Sequence, residues 1–481
     1  MNHQIILGFA PTRRGSAFVN PDALKYKALI REELERICGE NVELVDVEDI
    51  NGEGLLMGPE DVPKVIEKFK ARKVNALFFP HCNFGSEHSV AKVAAALGVP
   101  VLLWGPRDEA PEPDGSRLRD TQCGLFATGK VLRRVNVPFT YLPNCRVSDS
   151  LFCRGVKTFL AAANVVKEFR QAKILQIGTR PDDFWTMMCN EGELLERFGI
   201  QIFPVSMTDL TQRVEVLLAE DGEEVRAVAA HIYEAAEVKI DEADVRKIAA
   251  LKTAMKRFAL ETGCGAVALQ CWYSLQKSLG IMPCMANALL TEEGIPVACE
   301  TDIHGAVSSI LLQAAGFGEG KTFFVDWSVR HPENPNGELL QHCGPWPLSL
   351  AKERPVLTRP FAFSDNCPGS VVAECRGGEI TLLRFDGDHG EYGVLLGTAK
   401  GIEGPRNHGT YLWVEVPDWP RVETMIVKGP YVHHATGIHG NLLPVLQVAS
   451  VYLPGIRLDY FDRAQQERTE SFFFEEASRL C

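Results

Sequence analysis

In the stretch IPVACETDIHGA, residues 295–306, an apolar run that reads as the end of a buried strand stops on a carboxylate, Glu300, with Asp302 and His304 just behind it. A second run, KTFFVDWSVRH from Lys321, ends its apolar segment on Asp326 in the same way. An acid is costly to bury unless it is paired or bound to a cation, so the two ask for a common partner. Taken singly, each could as well cap the turn or helix that follows. Imidazoles supply a complement: KGPYVHHATGIHG places His433, His434 and His439 within seven residues, and His342 stands in LLQHCGPWP. Two carboxylates with one or two imidazoles, and no thiolate at ligand-like spacing, form an oxygen-rich donor set suited to Mn²⁺ or another divalent ion such as Co²⁺ or Mg²⁺. The zinc spacing HExxH is absent. An ion held this way with open positions can chelate vicinal sugar oxygens and polarise a carbonyl, while a carboxylate moves a proton between the neighbouring carbons. That is aldose–ketose interconversion through a cis-enediol, which needs no organic cofactor. An epimerase or lyase using the same enediol, and a non-catalytic sugar-binding or regulatory protein, remain open alternatives.

Positioning these residues requires strands that end near one another. The first ~165 residues alternate strand-like runs (QIILGFA, VELVDVE, NALFFP, VPVLLWG) with helical periodicity near 21–38, 60–72 and 87–97, which predicts βαβ units on a parallel sheet. A similar unit restarts at AKILQIG and continues through IQIFPVSM, CGAVALQ, IPVACE and KTFFVDW, with a long charged helical stretch from about 208 to 262. After GPWPLSLAKERP the pattern changes to alternating strands between Gly-rich turns, with a late helix near 441–453. The expected fold class is α/β: two Rossmann-like parallel-sheet domains, residues 1–168 and 169–350, followed by a mainly antiparallel β domain, residues 351–481. Ligands of open parallel sheets bind outside the carboxyl ends of the strands, so Glu300 and Asp326 are expected to face one crevice.

Composition narrows the partners. The 481 residues carry a formal net charge of −13, from 63 acidic and 50 basic residues, a balance without the basic surface that phosphate backbones require; nucleic acid is not an expected partner. No apolar stretch is long enough to span a bilayer, and the N-terminus lacks the pattern of a signal peptide. Fourteen cysteines without a CxxC pair read as reduced, mostly buried thiols, and the expected location is the cytoplasm. GLFATGKV, from Gly124, resembles a phosphate loop, but Val131 stands where Ser or Thr belongs and no strand precedes it; AGFGEGKT, from Ala315, runs from helix to strand, the reverse of the required order.

ACETDIHGA, FFVDWS, LLQHCGP and YVHHATGIHG resemble, in order, the ligand-bearing segments of the metal-dependent L-fucose isomerases and the related L-arabinose isomerases, with Asp326 lying 26 residues after Glu300 and His342 a further 16 on. The resemblance covers most of the chain. It implies that Glu300 binds metal and acts as acid/base, that Asp326 is the second carboxylate ligand, and that His434 is the histidine ligand. His342 matches a ligand of the arabinose enzymes, and His433 falls where relatives touch substrate. PTRRGSAF resembles a substrate-contacting segment, with Arg14 the better match. Such enzymes complete their site with the first domain of a neighbouring subunit, which implies a homo-oligomer, often a hexamer. The chain is shorter than typical L-fucose isomerases, so the sugar can differ. IGTRPDDFWTMMCNEG, with Arg180 and Asn190, is placed to line the pocket, and Arg14 or Arg180 could select an anionic sugar, sulfonated or uronic.

Overall fold

The computed structural model describes residues 3–15, 22–361 and 366–473. The described residues form two compact units, one drawn from residues 3–167, 444–454 and 467–473, the other from residues 168–443 and 455–466.

In the first unit, β1 (Ile5–Phe9), α1 (Asp22–Ile37), β2 (Val42–Val45), α2 (Asp61–Ala71), β3 (Ala76–Pro80), α3 (Glu87–Leu97), β4 (Val101–Trp104), α4 (Thr121–Arg134), β5 (Thr140–Tyr141) and α5 (Ser150–Arg170) follow one another. The strands are all parallel, in the order β2-β1-β3-β4-β5. β3 is buried at every residue, as expected of a central strand whose two faces are both covered. The order reverses between β1 and β3, and the loops leaving these strands flank the crevice where such sheets bind ligands. Arg13 and Arg14 follow β1, and the Arg14 backbone N–H donates to Asn83 Oδ1, beyond β3, at 2.9 Å. The phosphate-loop lookalike from Gly124 lies inside α4. A Cβ on Gly124 would sit 1.7 Å from the Phe84 carbonyl oxygen, so this glycine permits close packing.

The second unit opens with β6 (Lys173–Ile177), α6 (Glu191–Phe198) and β7 (Gln201–Val205). The charged stretch read as one helical region is three helices, α7 (Met207–Glu220), α8 (Glu223–Ala235) and α9 (Glu242–Thr262), with a short strand β8 (Glu237–Val238) before the last. Asp221, left-handed at φ 46°, and Gly222 break the first from the second, as an Asp-Gly pair does. β9 (Ala266–Leu269), α10 (Ser274–Leu279), α11 (Cys284–Glu292), β10 (Val297–Ala298) and α12 (Ile303–Ala315) complete a parallel sheet in the order β10-β9-β6-β7.

β11 (Phe323–Arg330), β12 (Gly337–His342), β13 (Val356–Thr358), β14 (Ser370–Glu374), β15 (Glu379–Asp388), β16 (Glu391–Ile402), β17 (Thr410–Glu415), β18 (His434–His439) and β19 (Ile456–Tyr460) form, with β8, a mainly antiparallel sheet of ten strands. The pairing of β16 with β17 closes β11, β12, β17, β16, β15 and β18 into a barrel packed by Val325, Trp327, Leu340, Leu382, Leu395 and Leu412. The strand of Asp326 was expected in the second parallel sheet; it is β11 of this barrel, antiparallel to β12 and β18. Its alternation is masked because Phe324, on the face away from Val325 and Trp327, is also buried, so the segment reads as the continuous apolar run of a parallel strand. The late helix is α14 (Leu443–Ser450). A further helix, α13 (Trp419–Lys428), has signals the sequence reading passed over: the Asp418 side chain caps it and a proline occupies its first turn. Among the described residues no helix is long and apolar enough to cross a membrane.

Candidate active site

β9 and β10 pair in parallel and end side by side. Cys271 lies just beyond the first and Glu300 just beyond the second, so the carboxylate stands at the carboxyl ends of the second parallel sheet, as expected. The turn that carries it is unusual: Glu300 and Thr301 are both left-handed, at φ 53° and 57°, each at a cost of roughly 1–2 kcal/mol for an L side chain. Their neighbours hold them there. Thr301 N–H donates to the Leu269 carbonyl at 3.1 Å, its hydroxyl donates to the Thr179 carbonyl at 3.1 Å, and the Cys271 thiol donates to Glu300 Oε1 at 3.2 Å. Asp302 then starts α12, its Oδ1 accepting from Gly305 N–H at 2.8 Å. This helix is buried almost all round because it packs on β9 and β10 on one side and on β15 and β18 on the other.

The barrel supplies the rest of the cluster. Asp326 and His434 are cross-strand partners on β11 and β18, and His342 ends β12, which pairs with β11 on the other side. His434 Nε2 lies 3.2 Å from Asp326 Oδ1 and 3.8 Å from Glu300 Oε2. His342 Nε2 lies 3.5 Å from Glu300 Oε2 and 4.0 Å from Asp326 Oδ1. The structure thus brings Glu300, Asp326, His342 and His434 to one point. Among the described residues, no hydrogen bond of good geometry reaches the buried Glu300 Oε2 or Asp326 Oδ1, which have only the nearby imidazoles, a costly arrangement that a shared cation would relieve.

The electrostatics describe the same demand. Burial pushes the His434 imidazole toward neutrality, but its hydrogen bond to Asp302 and the facing Asp326 outweigh this and raise its pKa to about 10. Burial pushes Asp326 up, and His342 and His434 pull it down to about 2. His342, opposed by burial, is raised by Asp326 and Glu300. Two hard carboxylate oxygens and two imidazole nitrogens suit a divalent ion of the Mn²⁺ class.

Behind His434 stands a chain of ion pairs absent from the sequence reading. His434 Nδ1 lies 2.9 Å from Asp302 Oδ2, and that oxygen also accepts from Arg384 Nη1. Arg384 Nε donates to Asp386 Oδ2 at 2.8 Å, and Asp386 Oδ1 lies 2.9 Å from His304 Nδ1. All five side chains are buried. Despite burial, Arg384 and His434 hold Asp302 well below the carboxylate range. The available signals were an acid two places after Glu300 and the pair Arg384 and Asp386, at i and i+2 in an apolar strand.

His433 is half-buried with its ring 4.2 Å from that of His434, and burial, with the charge of His434, lowers its pKa to about 4. The Phe184 ring lies 5.8 Å from His433 and 4.9 Å from Trp272, so the loop after β6 reaches the cluster through an aromatic residue that sequence reasoning did not single out. Arg180, in that loop, donates to the carbonyls of Pro181 and Asp182 at 3.0 and 3.2 Å. Asn190 is exposed and caps α6, accepting from Glu193 N–H at 3.1 Å. In the first unit, Arg14 lies over the Phe84 ring at 4.1 Å and lines a cleft of about 450 Å³ with Arg13, Gly15, Met57, Ser86 and His88. Arg13 is engaged by Glu53 at 2.6 and 2.7 Å. Residues 16–18 of the PTRRGSAF segment lie outside the described residues.

Comparison with known proteins matches residues 8–170 to the model of the fucose/sulfoquinovose isomerase N-terminal domain. A sulfoquinovose isomerase of Alkalicoccus urumqiensis is 26% identical over 397 residues, covering 81% of this chain and 86% of that protein. Sulfoquinovose isomerases of Priestia aryabhattai and Clostridium sp. (strain MSTE9) are 24% and 25% identical, each over 76% of this chain and over 80% and 82% of their own lengths.

Proposed function

We propose, from the premise that the chain belongs to the fucose/arabinose isomerase-like family, that it is a divalent-metal-dependent isomerase interconverting an aldose and its ketose, and that the sugar is anionic, of the sulfonated class its relatives' names describe. The observation that carries this reading is the convergence of Glu300, Asp326, His342 and His434 from one turn and three strands.

In this reading Glu300, Asp326, His434 and His342 hold Mn²⁺ or a similar ion, Co²⁺ or Mg²⁺, with no organic cofactor. The ion, when bound, would orient vicinal sugar oxygens and polarise the carbonyl. Glu300 has one oxygen held by the Cys271 thiol and the other without a hydrogen bond among the described residues, and this second oxygen takes the proton from the carbon beside the carbonyl and returns it to its neighbour. Asp326, the second carboxylate of the cluster, accepts and returns the hydroxyl proton. His433, neutral at physiological pH, hydrogen-bonds a sugar hydroxyl. The Phe184 and Trp272 rings exclude water from one side.

Arg14 or, alternatively, Arg180 is proposed to recognise the anionic group, and Asn190 to contact substrate. Arg14 stands at the switch point of the first parallel sheet, where such sheets bind ligands. The proposed assembly is a homo-oligomer, with a hexamer as the model, in which a neighbouring subunit's first domain completes the site; the proposed location is the cytoplasm. Neither nucleic acid nor membrane belongs to the proposal.

The deciding experiment is incubation in D₂O with a panel of neutral and anionic aldoses, first with Mn²⁺ and then with EDTA, followed by ¹H NMR. Metal-dependent label at C1 or C2 together with the partner ketose, strongest for a sulfonated sugar, is the expected result. Binding without exchange or product would overturn it.

A further inference from the structure

The two carboxylate oxygens of Glu300 meet different surroundings. Its Oε2 turns toward the imidazoles, whereas Oε1 turns toward sulfur: the Cys271 thiol lies 3.2 Å away, and Glu300 N–H donates back to the same sulfur at 3.4 Å. Cys299, the preceding residue, brings a second thiol. Its sulfur accepts from Asn287 Nδ2 at 3.6 Å, and the sulfurs of Cys271 and Cys299 and an oxygen of Glu300 all lie within 4.8 Å of one another. All three residues are buried, with 4%, 2% and 4% of their surface exposed. Cys284 and Cys343 belong to the same neighbourhood: besides burial, Cys271 and Glu300 each push both of these thiols up.

Two thiols and a carboxylate make a donor set of a different kind from the oxygen- and imidazole-rich cluster beside it. Thiolates select soft and borderline ions, and carboxylates with imidazoles select harder ones. Tetrahedral coordination at ordinary zinc bond lengths separates neighbouring ligand atoms by about 3.6–3.8 Å, so the three groups need to move little to close on one ion. We propose that Cys271, Cys299 and Glu300 form a second, thiophilic cation site that takes Zn²⁺ or Cd²⁺ and inhibits the enzyme by drawing the Glu300 carboxylate to its sulfur side. Each thiol gives up its proton to solvent as it binds, so one divalent ion enters and two protons leave. The inhibitory part rests on the reading of Glu300 as ligand and proton carrier, whereas the binding part stands on the sulfur geometry alone.

The test uses Cd²⁺ as the probe on the Mn²⁺-loaded full chain, with wild type compared to Cys299→Ala and to the milder Cys299→Ser. Wild type should develop an ultraviolet thiolate-to-cadmium charge-transfer band that saturates at one Cd²⁺ per chain, and isomerase activity should fall in parallel. Both Cys299 variants should lose most of the band, keep Mn²⁺-dependent turnover, and need at least about tenfold more Cd²⁺ for half inhibition. No band in wild type, or a band unchanged in both variants, overturns the site. A band that disappears in the variants while inhibition stays the same overturns the inhibitory role. Should no sugar turn over at all, the function proposed above fails while the band still decides whether the thiols bind metal.

Discussion

Nδ1 of His434 points at Oδ2 of Asp302 across 2.9 Å, which leaves Nε2 as the nitrogen that faces Glu300 and Asp326. A carboxylate behind a ligating imidazole fixes its tautomer and raises its basicity. Asp302→Asn should therefore weaken Mn²⁺ binding by about 10–100-fold, measured by titration followed by electron paramagnetic resonance, with turnover largely recovered at saturating Mn²⁺. Unchanged affinity would show that the contact is only structural.

Glu300→Gln keeps the shape of the side chain but removes the basic oxygen. Turnover and C–H deuterium exchange should fall by roughly 10²–10⁴, with the circular dichroism spectrum preserved. Substantial residual exchange would remove Glu300 from the proton-transfer role.

Arg384 is buried between two acids, with Asp302 on one side and Asp386 on the other. Arg384→Met removes the guanidinium that joins the two carboxylates, and loss of one partner from a buried ion pair costs about 3–5 kcal/mol. Urea unfolding of the variant should show a loss of that order. A change below ~1 kcal/mol would mean that this network adds little to folding.

The pH dependence of the metal-free protein follows from shifts of opposite sign. His434 is raised to about 10, so its contribution to stability is complete below the ordinary histidine pKa of about 6.5 and is lost as pH climbs toward 10. Asp326 is lowered to about 2, and Asp302 is lowered as well. Their contributions are present above the ordinary aspartate pKa of about 4 and disappear as pH falls below it. Thermal unfolding with EDTA should therefore give a plateau between about pH 4 and 6.5 and a decline above it. His434→Gln should flatten the alkaline limb; an unchanged limb would assign the decline to other groups.

How much of this was legible depends on how each residue is held. Glu300 could be placed because a strand of a parallel sheet ends in front of it, and strand ends are where such sheets present side chains. His342 and His434 stood out as imidazoles at the edges of apolar runs. Asp326 was singled out for a mistaken reason: Phe323, Phe324 and Val325 at the start of β11 are buried on both faces, so an antiparallel barrel strand looked like a parallel one. Asp302 was visible only as an acid before a helix, because Oδ1 does cap α12, while the partners that explain Oδ2, Arg384 on β15 and His434 on β18, lie 82 and 132 residues away. Arg384 is a cation in an apolar strand whose purpose cannot be read until the acids it joins are brought beside it. The division of the charged stretch into α7, α8 and α9 was encoded locally, in Asp221-Gly222, and was overlooked because the helical period is similar on either side.

The left-handed pair Glu300 and Thr301 bears on how this protein responds to selection in the laboratory. Glycine adopts that conformation without the steric penalty of a side chain, and at position 300 it would also remove a buried charge. A mutant library screened for heat resistance alone should therefore collect glycine or asparagine at 300 and 301, and its most durable members should be catalytically dead. Directed evolution of a more robust enzyme must impose turnover in every round, because at this turn durability and activity pull the chain in opposite directions.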